Sequence, residues 1–204
     1  MPAMNTETKV ARWTLISLRP RGQHAPVRRA AKGTGATVIA LSPWALQSRA
    51  DAATCADLAA ALAAERVVFS SPAAVHAAAR LTALDTPHGG KWLAVGAGTA
   101  AALAGHGARD VLAPGRMDSE GLLALPALAD LRGLRAGLVT APGGRGVIAT
   151  TLQQRGAQLL RANVYVRQPL PLPPRTLQRL RQAMAPWAVR TVKIACSAAT
   201  IPSR

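Results

Sequence analysis

Two serines stand where a short apolar run of the sequence ends. Ser70 and Ser71 follow residues 67–69, and Pro72 comes next, so the sequence predicts a helix with Ser71 as its N-cap and Pro72 at its first position. This arrangement has two interpretations. The hydroxyl can cap the helix and nothing more, or Ser70 and the free main-chain amides can present donors to an anion.

Two glycine-rich segments stand at the same kind of strand-to-helix junction. Residues 96–99, GAGT, superficially match a dinucleotide fingerprint, but the next predicted strand does not end in the acidic residue which that fingerprint needs. A tight turn in which Thr99 and main-chain amides hold an anion is the simpler interpretation. Residues 143–146, GGRG, lack the Lys-Ser/Thr of a nucleotide P-loop. An arginine at a helix start opposes the helix dipole, so Arg145 favours a carboxylate ligand.

Tyr165 is the only tyrosine of the chain and ends a predicted strand. A buried tyrosine usually needs only one hydrogen-bond partner, and the alternative is that its phenol acts on a ligand. The four histidines and two cysteines show no metal-ligand spacing, and no Ser/His/Asp or Cys/His order stands out. The sequence therefore gives no support to metal or covalent catalysis. Cys55 and Cys196 are expected to be small buried thiols.

The elements that must position these residues alternate between short apolar runs and Ala- and Leu-rich helical patterns. This alternation predicts an α/β fold with parallel sheets. The predicted strands cover residues 13–17, 36–41, 67–70, 92–95, 110–113, 135–140, 158–166 and 192–196. The predicted helices include residues 51–65, 72–84, 99–105, 119–131, 145–155 and 175–184. Residues 42–49 and the proline-rich 168–174 are interpreted as connectors.

Two internal echoes indicate two similar lobes. Residues 67–74 are matched by 193–199, and residues 16–41 are matched by 138–165. We therefore expect a discontinuous and incomplete lobe 1, made of residues 1–42 and 168–204, and a lobe 2 with connectors, made of residues 43–167. Loops at the carboxyl ends of parallel strands meet at one edge of the sheet, which is where open α/β folds bind ligands.

Composition limits the classes of function. The chain has 204 residues and 50% hydrophobic content, and it carries 25 Lys plus Arg against 9 Asp plus Glu. Such a charge attracts polyanions, whether nucleic acid, a membrane surface or a small polycarboxylate. The basic residues are scattered and no aromatic stacking platform is interleaved with them, which disfavours a nucleic-acid partner. Without a signal peptide or an apolar stretch long enough to span a bilayer, a cytoplasmic protein with no membrane partner is expected.

The ordered set of motifs resembles the uroporphyrinogen-III synthase family. The resemblance covers about residues 13–170. Its matching segments are RP at 19–20, FSSPAAV at 69–75, VGAGTAAAL at 95–103, SEGL at 119–122, GGR at 143–145 and VYVR at 164–167.

The resemblance implies two flavodoxin-like parallel-sheet lobes joined by a two-stranded linker, with the substrate in the cleft between them. It implies a monomeric lyase without metal or organic cofactor, which closes the polycarboxylate hydroxymethylbilane into uroporphyrinogen III with ring D inverted. Tyr165 would be the catalytic general acid. The substrate-binding residues implied in the same way are Arg19, Ser70, Ser71, Thr99 and Arg145.

The chain also departs from this pattern. The family often has threonine before the Arg-Pro pair, where this sequence has Leu18. Family members continue beyond the point matched by residue 204, so a C-terminally truncated or frame-shifted chain with an unfinished first lobe is expected. The alternatives are an inactive truncated synthase or a non-catalytic α/β module that binds polyanions. A basic nucleic-acid binder is a third, weaker interpretation.

Overall fold

A computed structural model of the chain describes residues 13–85, 90–143, 146–185 and 193–196. The chain divides into two compact units. Unit 1 contains the residues up to Ala45 and those from Gln168 onward, and unit 2 contains Leu46–Arg167. Each unit is an α/β structure built on a parallel sheet, as the sequence predicts.

Sixteen helices and strands account for the regular structure of the described residues, in addition to one short 3₁₀ turn at Pro126–Leu128. The strands are β1 (Thr14–Leu18), β2 (Thr37–Leu41), β3 (Trp44–Ser48), β4 (Arg66–Phe69), β5 (Lys91–Ala94), β6 (Arg135–Thr140), β7 (Gln158–Asn163), β8 (Tyr165–Pro169) and β9 (Lys193–Cys196). The helices are α1 (Ala25–Ala31), α2 (Ala52–Leu62), α3 (Pro72–Ala78), α4 (Ala97–Gly105), α5 (Ser119–Leu123), α6 (Val147–Gln154) and α7 (Pro174–Met184).

Unit 1 has a three-stranded sheet in the order β2-β1-β9. Both pairings are parallel, and Leu18 at the end of β1 lies opposite Leu41 of β2. Ile16, Ile39 and Leu41 form the small buried core, against which Leu180 of α7 packs. The carboxyl ends of β1 and β2 therefore lie side by side at one edge of this sheet.

Unit 2 has a four-stranded sheet in the order β5-β4-β6-β7, in which every pairing is parallel. Successive side chains of a strand point to opposite faces. Val67 and Phe69 of β4 accordingly belong to one core cluster with residues of α2, α3 and α4, whereas Val68 belongs to a second cluster with residues of α5 and α6. Helices cover both faces, so the unbroken apolar run of β4 is buried on both sides.

Two strands carry the chain from one unit to the other and back. β3 contains the first crossing point and β8 the second, and the two strands pair in a sheet of their own. Residues 42–49, predicted to be a connector, contain β3. The predicted strand 158–166 is in fact two strands, β7 and β8, separated at Val164.

Two predicted elements around residues 110–131 are wrong in detail. Residues 110–113 make only a single parallel bridge, between Leu93 and Leu112, rather than a strand. The helix predicted over 119–131 ends at Leu123 because Pro126 cannot continue it. Leu125, the residue before this proline, has the extended backbone that proline imposes on its predecessor, with φ −64° and ψ 133°.

The expectation of buried thiols is wrong for Cys55, which is exposed on α2. The side chain of Cys196 lies outside the described part of the chain. No helix among the described residues is both long enough and apolar enough to cross a membrane.

Candidate functional site

The turn between β4 and α3 places both serines at the carboxyl edge of the sheet in unit 2. Ser71 has extended backbone, with φ −170° and ψ 159°, and its hydroxyl accepts a hydrogen bond from the Ala74 amide at 3.1 Å. Pro72 occupies the first helical position, where a missing N–H costs nothing. The predicted N-cap is therefore confirmed, and the start of α3 is fixed by the local sequence.

The Ser71 hydroxyl has a second partner besides the helix it caps. Its Oγ lies 3.3 Å from the phenol oxygen of Tyr165, and either oxygen can be the donor. Tyr165 begins β8, one residue beyond the end of β7, and only 5% of it is exposed. Ser71 is half-buried, so this hydrogen bond joins a buried phenol to a hydroxyl nearer to solvent.

A second pair of hydroxyls lies at the same edge. The Ser70 Oγ donates to the Thr140 Oγ1 at 2.8 Å, and the Ser70 amide donates to the Val139 carbonyl at 3.1 Å. Thr140 was missed by sequence analysis. The available signal was its position, because it is the last residue of a predicted strand and the carboxyl ends of parallel strands meet at one edge.

The glycine-rich turn after β5 contributes main-chain amides. Gly96 is the N-cap of α4. The first internal hydrogen bond of this helix runs from the Thr99 amide to the Gly96 carbonyl, so the amides before Thr99 have no acceptor within the helix. A side chain at Gly96 would put its Cβ 2.9 Å from the Cβ of Met117, so the turn has no room for one. Thr99 itself is 2% exposed, which makes the amides of Ala97 and Gly98 the accessible donors of this turn.

The loop after β6 is described only in part. Arg145, predicted to bind substrate, lies outside the described residues. The helix begins at Val147 rather than at residue 145, after Gly146, whose φ of +70° is the left-handed conformation that favours glycine. Arg161 of β7 supports the start of this loop, because its guanidinium donates to the Ala141 carbonyl at 3.3 Å. Arg161 is not among the residues that the sequence predicts for the site.

Arg19 lies in unit 1, at the carboxyl end of β1. Its amide donates to the Leu41 carbonyl at 3.2 Å, which holds the loop against the end of β2. The Arg19 Nε is buried and has no hydrogen-bond partner among the described residues. A buried donor without a partner is costly, and here the donor belongs to a permanently charged group.

A buried imidazole lies beside Arg19 and was not singled out by sequence analysis. The two ring nitrogens of His24 are each 2.8 Å from a serine hydroxyl, Nδ1 from Ser17 and Nε2 from Ser42. Burial lowers the pKa of His24 below its ordinary value, and the nearby charges of Arg28 and Arg19 lower it further. The sequence signal was slight, a serine inside an apolar strand and another directly after a strand.

One ion pair of unit 2 lies at the opposite edge of the sheet. Glu65, just before β4, pairs with Arg135 at the start of β6, with an N–O distance of 2.9 Å. The hydrogen bonds from Arg135 lower the pKa of Glu65 to about 2. Among the described residues no group of three His, Cys, Asp or Glu side chains is arranged to hold a metal ion.

The fold and the strand ends define a class of protein. It has two α/β units, each with a parallel sheet, and hydroxyl groups at the carboxyl edge of one sheet. A family model described as uroporphyrinogen-III synthase HemD matches residues 26–198. The chain therefore belongs to the uroporphyrinogen-III synthase family, whose members are lyases of porphyrin biosynthesis. None of the curated protein sequences gives a significant match.

Solved structures agree with this fold. A mutant uroporphyrinogen III synthase from Thermus thermophilus is 21% identical with a TM-score of 0.59, covering 89% of this chain and 72% of that chain. The wild-type enzyme of the same organism is 19% identical with a TM-score of 0.53, covering 89% of this chain and 71% of that chain. At these identities the likeness shows the shared architecture.

Proposed function

We propose that the chain is a uroporphyrinogen-III synthase, which closes hydroxymethylbilane into uroporphyrinogen III with inversion of ring D. Family membership supports the reaction class. The observation that carries the residue-level proposal is the 3.3 Å contact between the Tyr165 phenol and the Ser71 hydroxyl. Its position supports the proposal, because Ser71 follows the carboxyl end of β4, and α/β folds bind ligands at that kind of edge.

Tyr165 would act as the general acid. Its phenol donates a proton to the hydroxyl of hydroxymethylbilane as the carbon–oxygen bond breaks, so water leaves and an azafulvene cation remains. Ser71 can then donate to the phenolate, because its hydroxyl can accept from the Ala74 amide and donate at the same time. Ring closure at the substituted position gives a spiro intermediate, and after rearrangement the phenolate can take back the proton that the new ring loses.

The remaining polar groups would hold the carboxylates of the substrate. In unit 2 these are Ser70 with its partner Thr140, the first amides of α4 near Thr99, and Arg145. In unit 1 the candidate is Arg19, which is only partly buried at the carboxyl end of β1. A formal net charge of +16 would attract such a polyanion over a distance. Much of the rate would come from holding a flexible chain in its ring-closing shape.

The same proposal includes a cytoplasmic monomer that needs neither metal nor organic cofactor and binds no nucleic acid. These points follow from the function proposed and from the composition. Sedimentation at several concentrations tests the oligomeric state, and turnover in the presence of a chelator tests the independence from metal.

The decisive experiment is an isomer analysis of the product formed from hydroxymethylbilane. Without a synthase the substrate closes spontaneously to the type I ring, so type III product demonstrates catalysis. We expect type III product with the purified chain and type I product with buffer alone. A chain that binds uroporphyrinogen yet leaves only type I product would instead be a polyanion-binding module, the alternative that the strong positive charge favours.

A further inference from the structure

His24 connects three elements of unit 1 at the carboxyl edge of its sheet. Ser17 belongs to β1, Ser42 follows β2, and His24 itself is the N-cap residue of α1. Both ring nitrogens are hydrogen-bonded at 2.8 Å, and only 9% of the residue is exposed. The ring is thus fixed in place and shielded, and the loop that carries Arg19 is the segment between β1 and this histidine.

The charges around the ring are of one sign. Within the described residues, the charged groups that act on His24 are Arg28 on α1 and Arg19 after β1, and both disfavour a second positive charge. Ser17 and Ser42 face the ring from β1 and from the end of β2, and neither carries a charge. A proton on His24 is therefore opposed by burial and by two guanidinium groups.

The hydroxyl partners do not oppose protonation. A serine hydroxyl can accept or donate, so both hydrogen bonds survive when the two ring nitrogens become donors. What opposes the proton is burial first and the charges of Arg28 and Arg19 after it, and the charges are the part that a bound anion can offset. An anion held by the part of the Arg19 side chain that remains exposed supplies that change, since Arg19 is only partly buried.

We propose that His24 is a positioning residue for the Arg19 loop, and that an anion bound by Arg19 draws a proton onto its imidazole. The ligand class is the carboxylate or another oxyanion of similar size. The inference rests on the proposed function in taking Arg19 as an anion-binding residue. Binding and protonation then assist one another by equal factors, since coupling between two equilibria is reciprocal. Affinity for an anion at this edge should increase as the pH falls through the titration of His24.

Inorganic sulfate is a suitable probe because its charge does not change between pH 5 and pH 8. The imidazole resonance of His24, assigned by its absence in His24→Gln, would be titrated by NMR with and without sulfate at constant ionic strength. We expect sulfate to move the titration midpoint upward. Protonation of the His24 ring should raise the affinity for sulfate on the order of tenfold, because the charged ring attracts an anion through a partly shielded site.

Two arginine variants separate the coupling from simple loss of charge. Arg28→Gln and Arg19→Gln each remove a positive charge that acts on the ring, so both should raise the midpoint measured without sulfate. Only Arg19→Gln should abolish the further movement caused by sulfate. Ser42→Ala removes one hydrogen bond of the ring and should weaken sulfate binding without abolishing its dependence on pH.

The proposal is overturned if the midpoint of His24 is the same with and without sulfate. It is also overturned if sulfate moves the midpoint equally in Arg19→Gln, because the effect would then be general screening. Neither result depends on turnover. A chain that forms type III product but shows no sulfate coupling would keep the proposed function and contradict this inference. A chain that shows the coupling but forms no type III product would keep this inference and contradict the proposed function.

Discussion

The carboxyl edges of the two sheets carry different polar groups. In unit 2 the strand ends hold hydroxyls bonded to hydroxyls, Ser70 to Thr140 and Ser71 to Tyr165. In unit 1 the strand ends hold Arg19 and a histidine between two serines. One edge can give a neutral proton donor to a leaving group, and the other can hold negative charge. The parallel sheet of each unit fixes where these groups stand, and the residue types set the chemistry.

Removing the phenol of Tyr165 should have the largest effect and is the sharpest test of that division. Tyr165→Phe keeps the ring and deletes the donor, so turnover should fall by about 10²-fold or more, with KM changed much less. Arg19→Gln should do the reverse and raise KM while kcat changes little, as expected for uniform binding. Steady-state kinetics with isomer analysis measures both. A fully active Tyr165→Phe enzyme would remove the distinction between the edges.

A smaller effect is expected when Ser71 is replaced, because the residue has two partners. Ser71→Ala deletes the cap of α3 and should lower the free energy of unfolding by about 1 kcal/mol. Asp51→Ala is the matched control, because Asp51 caps α2 in the same unit by accepting from the Thr54 amide at 2.9 Å. Denaturant midpoints should fall in both variants, and turnover should fall only in Ser71→Ala.

Equal turnover in the two variants would mean that Ser71 is a cap and nothing more. The alternative interpretation of its hydroxyl, considered from the sequence, would then be correct. Tyr165 would keep its place at the sheet edge, with its proton reaching the substrate without help from Ser71.

Elements with one strong local cause could be predicted from the sequence. The cap and proline at Ser71-Pro72 and the apolar strands β4 and β6 are such elements, and they fix Ser70 and Ser71 just after the carboxyl end of β4. The helix predicted over 119–131 is too long for a physical reason as well, since the periodicity is helical but Pro126 cannot continue the helix.

Contacts between distant residues could not be predicted in the same way. The pairing of Ser70 with Thr140 depends on β4 lying beside β6, and the contact of Ser71 with Tyr165 spans a sequence separation of 94 residues. The environment of His24 depends on three elements that meet only in the fold. Its residue type is ordinary and its neighbours in sequence are not its partners, so no spacing reveals it.

The smallest expected effect is a difference in how the two units respond to acid. The pKa of His24 in unit 1 is lowered from 6.5, so between its folded and unfolded values the unfolded chain binds more protons. Stability from this residue is therefore full above pH 6.5 and declines as the pH falls below it. The pKa of Glu65 in unit 2 is lowered from 4.5 to about 2, so its contribution declines only below pH 4.5.

Hydrogen exchange measured at each pH, and corrected for the intrinsic rates, can follow the units separately. Between pH 7 and pH 5 we expect amides of β1 and β2 to lose protection while those of β4 and β6 keep theirs. Below pH 4.5 unit 2 should weaken too, and Glu65→Gln should remove part of that acid dependence, more so at low salt because the ion pair is partly exposed. Sulfate should restore protection to β1 and β2 near pH 5, because a bound anion lowers the free-energy cost of protonating His24 in the folded chain. Parallel loss of protection in both units from pH 7 downward would contradict the comparison, because the acid response would then arise from the overall charge of the chain and not from the groups at each edge.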